Sequence, residues 1–141
     1  MRLFTKLGLG AVFAVGLSTF AMADEGANGI WIMQDGKVTV RIAPCGPNLC
    51  VSIVGLAKPT RNGKPKVDKE NPNASLRNRP LMGLTVLSNM ELRSENSWAG
   101  KIYNADDGRT YSSYMKLLGD KMKVQGCVGP FCKSIVFVRS N

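Results

Sequence analysis

Residues 37–50 read Lys-Val-Thr-Val-Arg-Ile-Ala-Pro-Cys-Gly-Pro-Asn-Leu-Cys, and this stretch decides the fold. From Lys37 to Ala43, Val38, Val40 and Ile42 fall on one side and Lys37, Thr39 and Arg41 on the other. Alternation with period two marks a strand with one buried face, because successive side chains of an extended backbone point opposite ways. Cys45-Gly-Pro-Asn-Leu-Cys50 then supplies turn chemistry, and Leu49 to Leu56 reads as the returning strand. The same plan recurs near the other end of the chain. Lys121 to Gly126 sets Met122 and Val124 against Lys121, Lys123 and Gln125; Cys127-Val-Gly-Pro-Phe-Cys132 follows, and Ser134 to Arg139 reads as the return. Each unit is a hairpin with a cysteine on either side of its turn.

Working outward, Ile30 to Met33 reads as a short first strand stopped by Asp35-Gly36, and Leu81 to Ser88, Ser97 to Tyr103 and Arg109 to Leu117 read as further strands. Asn104 to Gly108 and Leu118-Gly119-Asp120 join neighbours by tight turns. About eight strands linked mostly by hairpins make an antiparallel up-and-down meander, which closes into a barrel. An outer-membrane barrel needs strands of about 9–11 residues with an apolar outer face. These strands are shorter and display Lys, Arg and Gln, so that architecture is rejected.

One stretch breaks the pattern. Lys58 to Asn78 contains Pro59, Pro65, Pro72 and Gly63 and has little apolar content. Carried one residue further to Arg79, it holds seven basic residues against Asp68 and Glu70, a local net charge of +5. Asn73 to Asn78 reads as one helical turn. A long loop inside a compact domain usually serves a function or is disordered, so a site is expected here.

The first residues point to export. Arg2 and Lys6 precede an uncharged apolar run from Leu7 to Phe20, and Ala21-Met-Ala23 places small residues where a signal peptidase reads them. The run is too short for the roughly 20 residues of a membrane-spanning helix. The expectation is a signal peptide over residues 1–23, cleaved after Ala23, and a single domain over 24–141 in the periplasm or secreted, not membrane-spanning once cleaved. Removing Arg2 and Lys6 from the 19 basic residues leaves 17 against 10 acidic ones, a net charge of +7. Histidine is absent from the whole sequence. That removes the commonest general base, the commonest metal ligand and every Ser-His or Cys-His nucleophile pair. A non-enzymatic protein without catalytic residues, metal or cofactor is therefore expected.

Four cysteines allow three pairings. Residues on either side of a hairpin turn face each other at a Cα separation of about 4.5–5.5 Å, inside the range a disulfide spans. Local bridges, Cys45–Cys50 and Cys127–Cys132, are thus favoured, although long-range bridges would restrict the unfolded chain more. A tetrathiolate zinc site is disfavoured by the spacing and by an oxidising compartment. Redox pairs typically have two intervening residues at a helix start, unlike these turns. The basic loop offers charge for an anionic envelope surface such as a lipid headgroup, against the plainer reading of a solvated cationic loop. Nucleic acid is a poor partner for an exported domain, and no aromatic residues interleave with the charges. Asp106-Asp107-Gly108 reads as a turn, without the alternating ligands of a calcium loop, and Asp68-Lys-Glu70 carries no clearer signal. Trp98, Tyr103, Tyr111 and Tyr114 lie on adjacent expected strands, where they either line a cavity or simply fill the barrel.

Two resemblances join this reading. Gly29-Ile-Trp31 on the first strand with Arg139 at the end of the last resembles the lipocalin (calycin) closing motif, which implies that Arg139 packs over Trp31 at a closed barrel end. The series GIW, VTVRIAPCGPNLC, NPNASLRNRPLMGL, WAGKIYNADDGRTY, KMKVQGC and FCKSIVFVR, spread over nearly all the mature chain, resembles the bacterial exported family called domain of unknown function 2147. That resemblance implies a small exported protein with a lipocalin-like fold, and no catalytic residue comes with it. Phe137 departs from the pattern, since a Trp is expected in the last strand. The fold expected is thus an all-β, eight-stranded, lipocalin-like barrel with one long basic loop. Its expected function is to hold a small lipophilic or amphipathic ligand among Trp98, Tyr103, Tyr111 and Tyr114, with Arg77 or Arg79 pairing an anionic head at the mouth. The alternative is a filled barrel whose basic loop docks an anionic surface or protein partner.

Overall fold

A computed structural model describes residues 10–16 and 26–140. The expected cleavage point after Ala23, and most of the expected leader, lie outside the described residues. Ten strands follow in order: β1 (Gly29–Met33), β2 (Val38–Cys45), β3 (Asn48–Leu56), β4 (Thr60–Arg61), β5 (Lys64–Pro65), β6 (Thr85–Ser94), β7 (Ser97–Asn104), β8 (Arg109–Leu118), β9 (Lys121–Val128) and β10 (Phe131–Arg139). Eight of them close into one antiparallel barrel in the order β1-β10-β9-β8-β7-β6-β3-β2, with β1 also paired to β2. The short β4 and β5 pair only with each other, within the basic loop. Among the described residues no helix is long and apolar enough to cross a membrane.

Direction along the barrel follows from the hairpins. β1, β3, β7 and β9 run from one end to the other, and β2, β6, β8 and β10 return. The two cysteine hairpins therefore stand at opposite ends. The β2–β3 turn lies at the end where Trp31 sits, and the β9–β10 turn at the end reached by the basic loop.

Both disulfides are local, Cys45–Cys50 and Cys127–Cys132. Their registers differ from the expectation in one respect. Cys127 and Cys132 are direct cross-strand partners, with Cα atoms 4.1 Å apart. Cys45 instead pairs with Asn48 and Cys50 with Ala43, so that bridge runs diagonally over 5.4 Å. The cause is where Gly-Pro falls. A two-residue hairpin turn favours positive φ at its first central position, and Gly46 (φ 63°) and Gly129 (φ 55°) supply it. In CGPNLC the Gly-Pro pair directly follows the first cysteine, and in CVGPFC it comes one residue later. That single offset moves one register relative to its cysteines.

β6 is the other boundary that moves. It was expected over Leu81 to Ser88 but runs from Thr85 to Ser94, because Leu81 to Leu84 form a turn closed by the Leu84 N–H donating to the Leu81 carbonyl (3.1 Å). Register shifts along β6 add bulges, which bend a strand and help a sheet curl into a barrel.

The interior has two zones. Toward the Trp31 end it is solid: Trp31, Met90, Met115 and Met122 are completely buried, with Ile42 and Val51 beside them. Phe137, standing where a Trp was expected, is buried in the same cluster. Toward the other end the barrel is hollow.

Candidate ligand-binding site

The hollow zone is a cavity of about 1210 Å³, larger than the roughly 300–1,000 Å³ of typical ligand sites. Its wall is aliphatic, with Val40 and Ile53 from β2 and β3, Leu87 and Ile102 from β6 and β7, and Val124 and Ile135 from β9 and β10. These positions follow from the strand period. Ile102 is registered with Tyr111, and Val124 with Ile135, so each pair points the same way, inward. Gly126 leaves a notch in the wall; a Cβ there would find only Ile102 Cγ2 nearby, at 3.4 Å. The rim is basic. Lys37, Lys58, Arg61, Lys64, Lys66, Lys69 and Lys133 border the opening, with Asp106 the acidic member.

The loop that supplies most of this rim is a strap pinned across the end of the barrel. β4 and β5 turn at Asn62-Gly63, a pair suited to two residues of positive φ. Further along, Val67 bridges to Pro80, the Asp68 N–H donates to the Arg79 carbonyl (2.9 Å), and the Leu81 N–H donates to the Lys66 carbonyl (3.0 Å). The expected helical turn is a 3-10 turn, Ala74–Leu76, capped by the Asn73 side chain accepting from the Ser75 N–H (3.1 Å).

Asp68 is the centre of the strap and is fully buried. Its carboxylate accepts from the Tyr103 hydroxyl at 2.6 Å, from Arg79 Nε at 2.8 Å and from Asn71 Nδ2 at 2.8 Å. Burial by itself pushes the Asp68 carboxyl up, but the hydrogen bonds from Tyr103, Asn71 and Arg79 outweigh it and hold the carboxyl below its usual value. Burial, then the bond to Asp68, pushes the Tyr103 phenol up. Gly108, in the β7–β8 turn, presses on the backbone of Glu70, and any Cβ there would clash with the Glu70 carbonyl. Strap and hairpin thus interlock through a glycine on one side and a buried carboxylate on the other.

Only part of the expected aromatic set faces the cavity. Tyr111 lines it and donates to Asp107 in the β7–β8 turn. Tyr103 touches the opening but commits its hydroxyl to Asp68. Tyr114 is corrected to the outer face: it is 50% exposed, because residues 111 and 114 are an odd number apart on one strand and so point opposite ways. Trp98 registers with Met115 and packs on the solid zone below the cavity, outside its lining. Arg77 and Arg79 are also corrected. Arg77 Nε donates to the Asn71 carbonyl (2.7 Å) and Arg79 pairs with Asp68, so both brace the strap and neither lines the cavity. The lysines hold the rim in their place. In the sequence Asp68 stands only as one member of an Asp-Lys-Glu triplet. No local pattern separates it from Glu70 in the same loop.

At the solid end Trp31 and Arg139 are cross-strand partners. The Arg139 guanidinium carbon lies 4.3 Å from the Trp31 ring centroid. Its Nη1 donates to the Asn28 carbonyl (3.1 Å) and its Nη2 to the Gly26 carbonyl (2.5 Å), while Trp31 Nε1 donates to the Ala27 carbonyl (2.9 Å). The segment entering β1 is thereby drawn across the barrel end as a plug.

A family model described as "Uncharacterized protein conserved in bacteria (DUF2147)" matches residues 29–139, from the first residue of β1 to the last of β10. The chain belongs to the DUF2147 family. Among solved structures, the DUF2147 barrel described above is similar to protein HP1028 from the human pathogen Helicobacter pylori, which belongs to the lipocalin family. The match has a TM-score of 0.71 and 25% identity over 82% of this chain and 83% of that one. No curated protein matches the chain. The DUF2147 barrel here is therefore all-β and lipocalin-like, closed and plugged at one end and hollow at the other.

Proposed function

We propose that this protein is exported to the periplasm and binds a small lipophilic or amphipathic molecule in its barrel. The observation that carries the reading is the cavity of about 1210 Å³, aliphatic in its wall and ringed by lysines at its opening. Burying an apolar chain there releases about 25 cal/mol per Å² of apolar surface, and the cationic rim favours an acidic head over a neutral one. The lipocalin-like fold supports a barrel that holds a small ligand.

The test combines native mass spectrometry of the purified protein with titration of a fluorescent fatty-acid analogue. A co-purifying lipid-like mass is expected, together with saturable probe binding. Gly126→Leu, which fills the notch, is expected to weaken probe binding at least about tenfold with little change in the unfolding midpoint, since its Cβ meets only Ile102 Cγ2, at 3.4 Å, and the remaining atoms extend into the cavity. Absence of both the mass and the binding, or unchanged affinity in Gly126→Leu, would overturn the reading.

Export is supported by the uncharged run from Leu7 to Phe20 and by two disulfides, which persist in oxidising compartments. Amino-terminal sequencing of protein recovered from a periplasmic extract is expected to begin at Asp24. Recovery from the cytoplasm with Met1 retained would contradict it.

A further inference from the structure

The two cysteine hexapeptides look alike in sequence, but their tips differ. At the plugged end the turn presents Gly46-Pro47-Asn48, with no large apolar side chain. At the open end the turn presents Val128-Gly-Pro-Phe131, and Phe131 is 79% exposed and Val128 60% exposed. Leaving a phenylalanine in water forgoes roughly 1.5–3 kcal/mol of burial. A flexible loop would fold back and cover it. Here the Cys127–Cys132 bridge and the Gly129-Pro130 turn fix the two strands directly opposite each other, and Phe131, on the same strand face as Lys133 and Ile135, is held exposed at the tip above the cavity opening.

Surrounding charge says what covers this tip. Lys133, two residues from Phe131, borders the cavity opening, and so do Lys58, Arg61, Lys64, Lys66 and Lys69 of the strap. Among the described residues none of these six pairs with a carboxylate, whereas Arg79 neutralises Asp68. The other end offers a contrast. Leu92 and Leu118 are exposed there too, but the cations near them, Arg93, Lys116, Lys121 and Lys123, are interspersed with Glu91, Glu95 and Asp120, and Arg93 pairs with Glu91 at 3.6 Å. An exposed apolar wedge beside unpaired cations is complementary to an anionic lipid leaflet: the side chains enter the acyl boundary while the cations meet the headgroups.

We infer that the open end of the barrel docks on anionic bilayers, with Phe131 and Val128 inserted and the strap lysines on the headgroups. The cavity opening then faces the membrane. This docking does not require that the cavity hold any ligand, so the two ideas stand or fall separately.

Co-sedimentation with vesicles tests it. The purified protein is mixed with vesicles of phosphatidylglycerol and phosphatidylcholine in equal parts, and with vesicles of phosphatidylcholine alone. Binding is expected only to the anionic vesicles and is expected to fall steeply with added salt. Phe131→Ser is expected to weaken it at least about tenfold, and Lys64→Gln and Lys66→Gln about fivefold each. In Phe131→Trp the emission is expected to shift to the blue on adding anionic vesicles. Leu118→Ser at the plugged end and Gly126→Leu in the cavity are expected to leave vesicle binding unchanged. Equal binding to neutral vesicles, no binding to anionic ones, or indifference to Phe131→Ser in a protein whose circular dichroism is intact would overturn the proposal. So would self-association without lipid that Phe131→Ser abolishes, because the tip would then be covered by a second copy of the chain.

Discussion

Asp68→Ala is expected to undock the strap and expose the loop from Lys58 to Arg79 to trypsin. Three side-chain donors converge on this carboxylate, from Tyr103, Arg79 and Asn71. Arg79 is 37% exposed and can rehydrate, so the cost is that of leaving the Tyr103 hydroxyl and the Asn71 amide without their acceptor, about 1–3 kcal/mol. The strap can open as a local unit while the barrel stays closed, so the loss appears first as local opening. Cleavage in the loop should therefore accelerate roughly ten- to a hundredfold, with a smaller fall in the global unfolding midpoint. Unchanged cleavage would mean that Asp68 does not hold the strap.

The same latch has a pH signature. The folded Asp68 carboxyl lies below its ordinary value. Its contribution is then fully present above the unfolded-state value, about 3.9, and is lost as pH falls through the folded one. Tyr103 shifts the other way. Its contribution is present below the unfolded-state value, about 10, and is lost as pH rises through the folded one. Loop protection measured by hydrogen exchange should show a plateau between these limits that Asp68→Asn lowers at neutral pH, with the two proteins converging in acid.

Trp31→Ala is expected to produce the second large effect, a global loss of about 3–5 kcal/mol, the usual range for removing a buried tryptophan. The ring is fully buried among Met90, Met115 and Met122 and lies under Arg139. Its removal leaves a void in the solid zone and takes away the face on which the guanidinium stacks. The hydrogen bonds of Arg139 to Gly26 and Asn28 lose their support as well. Urea unfolding should show a lower midpoint at similar slope. Because Trp31 does not line the cavity, the affinity of the fluorescent probe for the folded protein should remain near that of the parent. A large loss of affinity at intact fold would show that the two zones are coupled.

Much of the barrel was legible in the chain because strand signals are local. Val38, Val40 and Ile42 alternate with polar neighbours, and Met122 and Val124 do the same; these positions face inward in the structure. The outward turn of Tyr114 is legible too, from its odd spacing to Tyr111 on one strand. The Gly-Pro offset between the two hexapeptides likewise contained the diagonal register of Cys45 and Cys50. Asp68 is a different case. Its partner Tyr103 is 35 residues away and Arg79 is 11 away, and no periodicity within the loop distinguishes a buried carboxylate from a solvated one.

The sequence by itself determined most of the barrel strands and their turns, and favoured the local pairing of the cysteines. Each of these depends on neighbouring residues: side-chain alternation, the positive φ that glycine accepts, and the short reach of a disulfide. Tertiary structure alone decided that one half of the barrel is solid and the other hollow, that Arg77 and Arg79 brace the strap while Arg61 and the lysines ring the opening, and that one of two similar hexapeptides exposes a phenylalanine beside those cations. These outcomes depend on which side chains from distant strands meet at a given level of the barrel. Closure of the sheet sets that, and no local pattern encodes it.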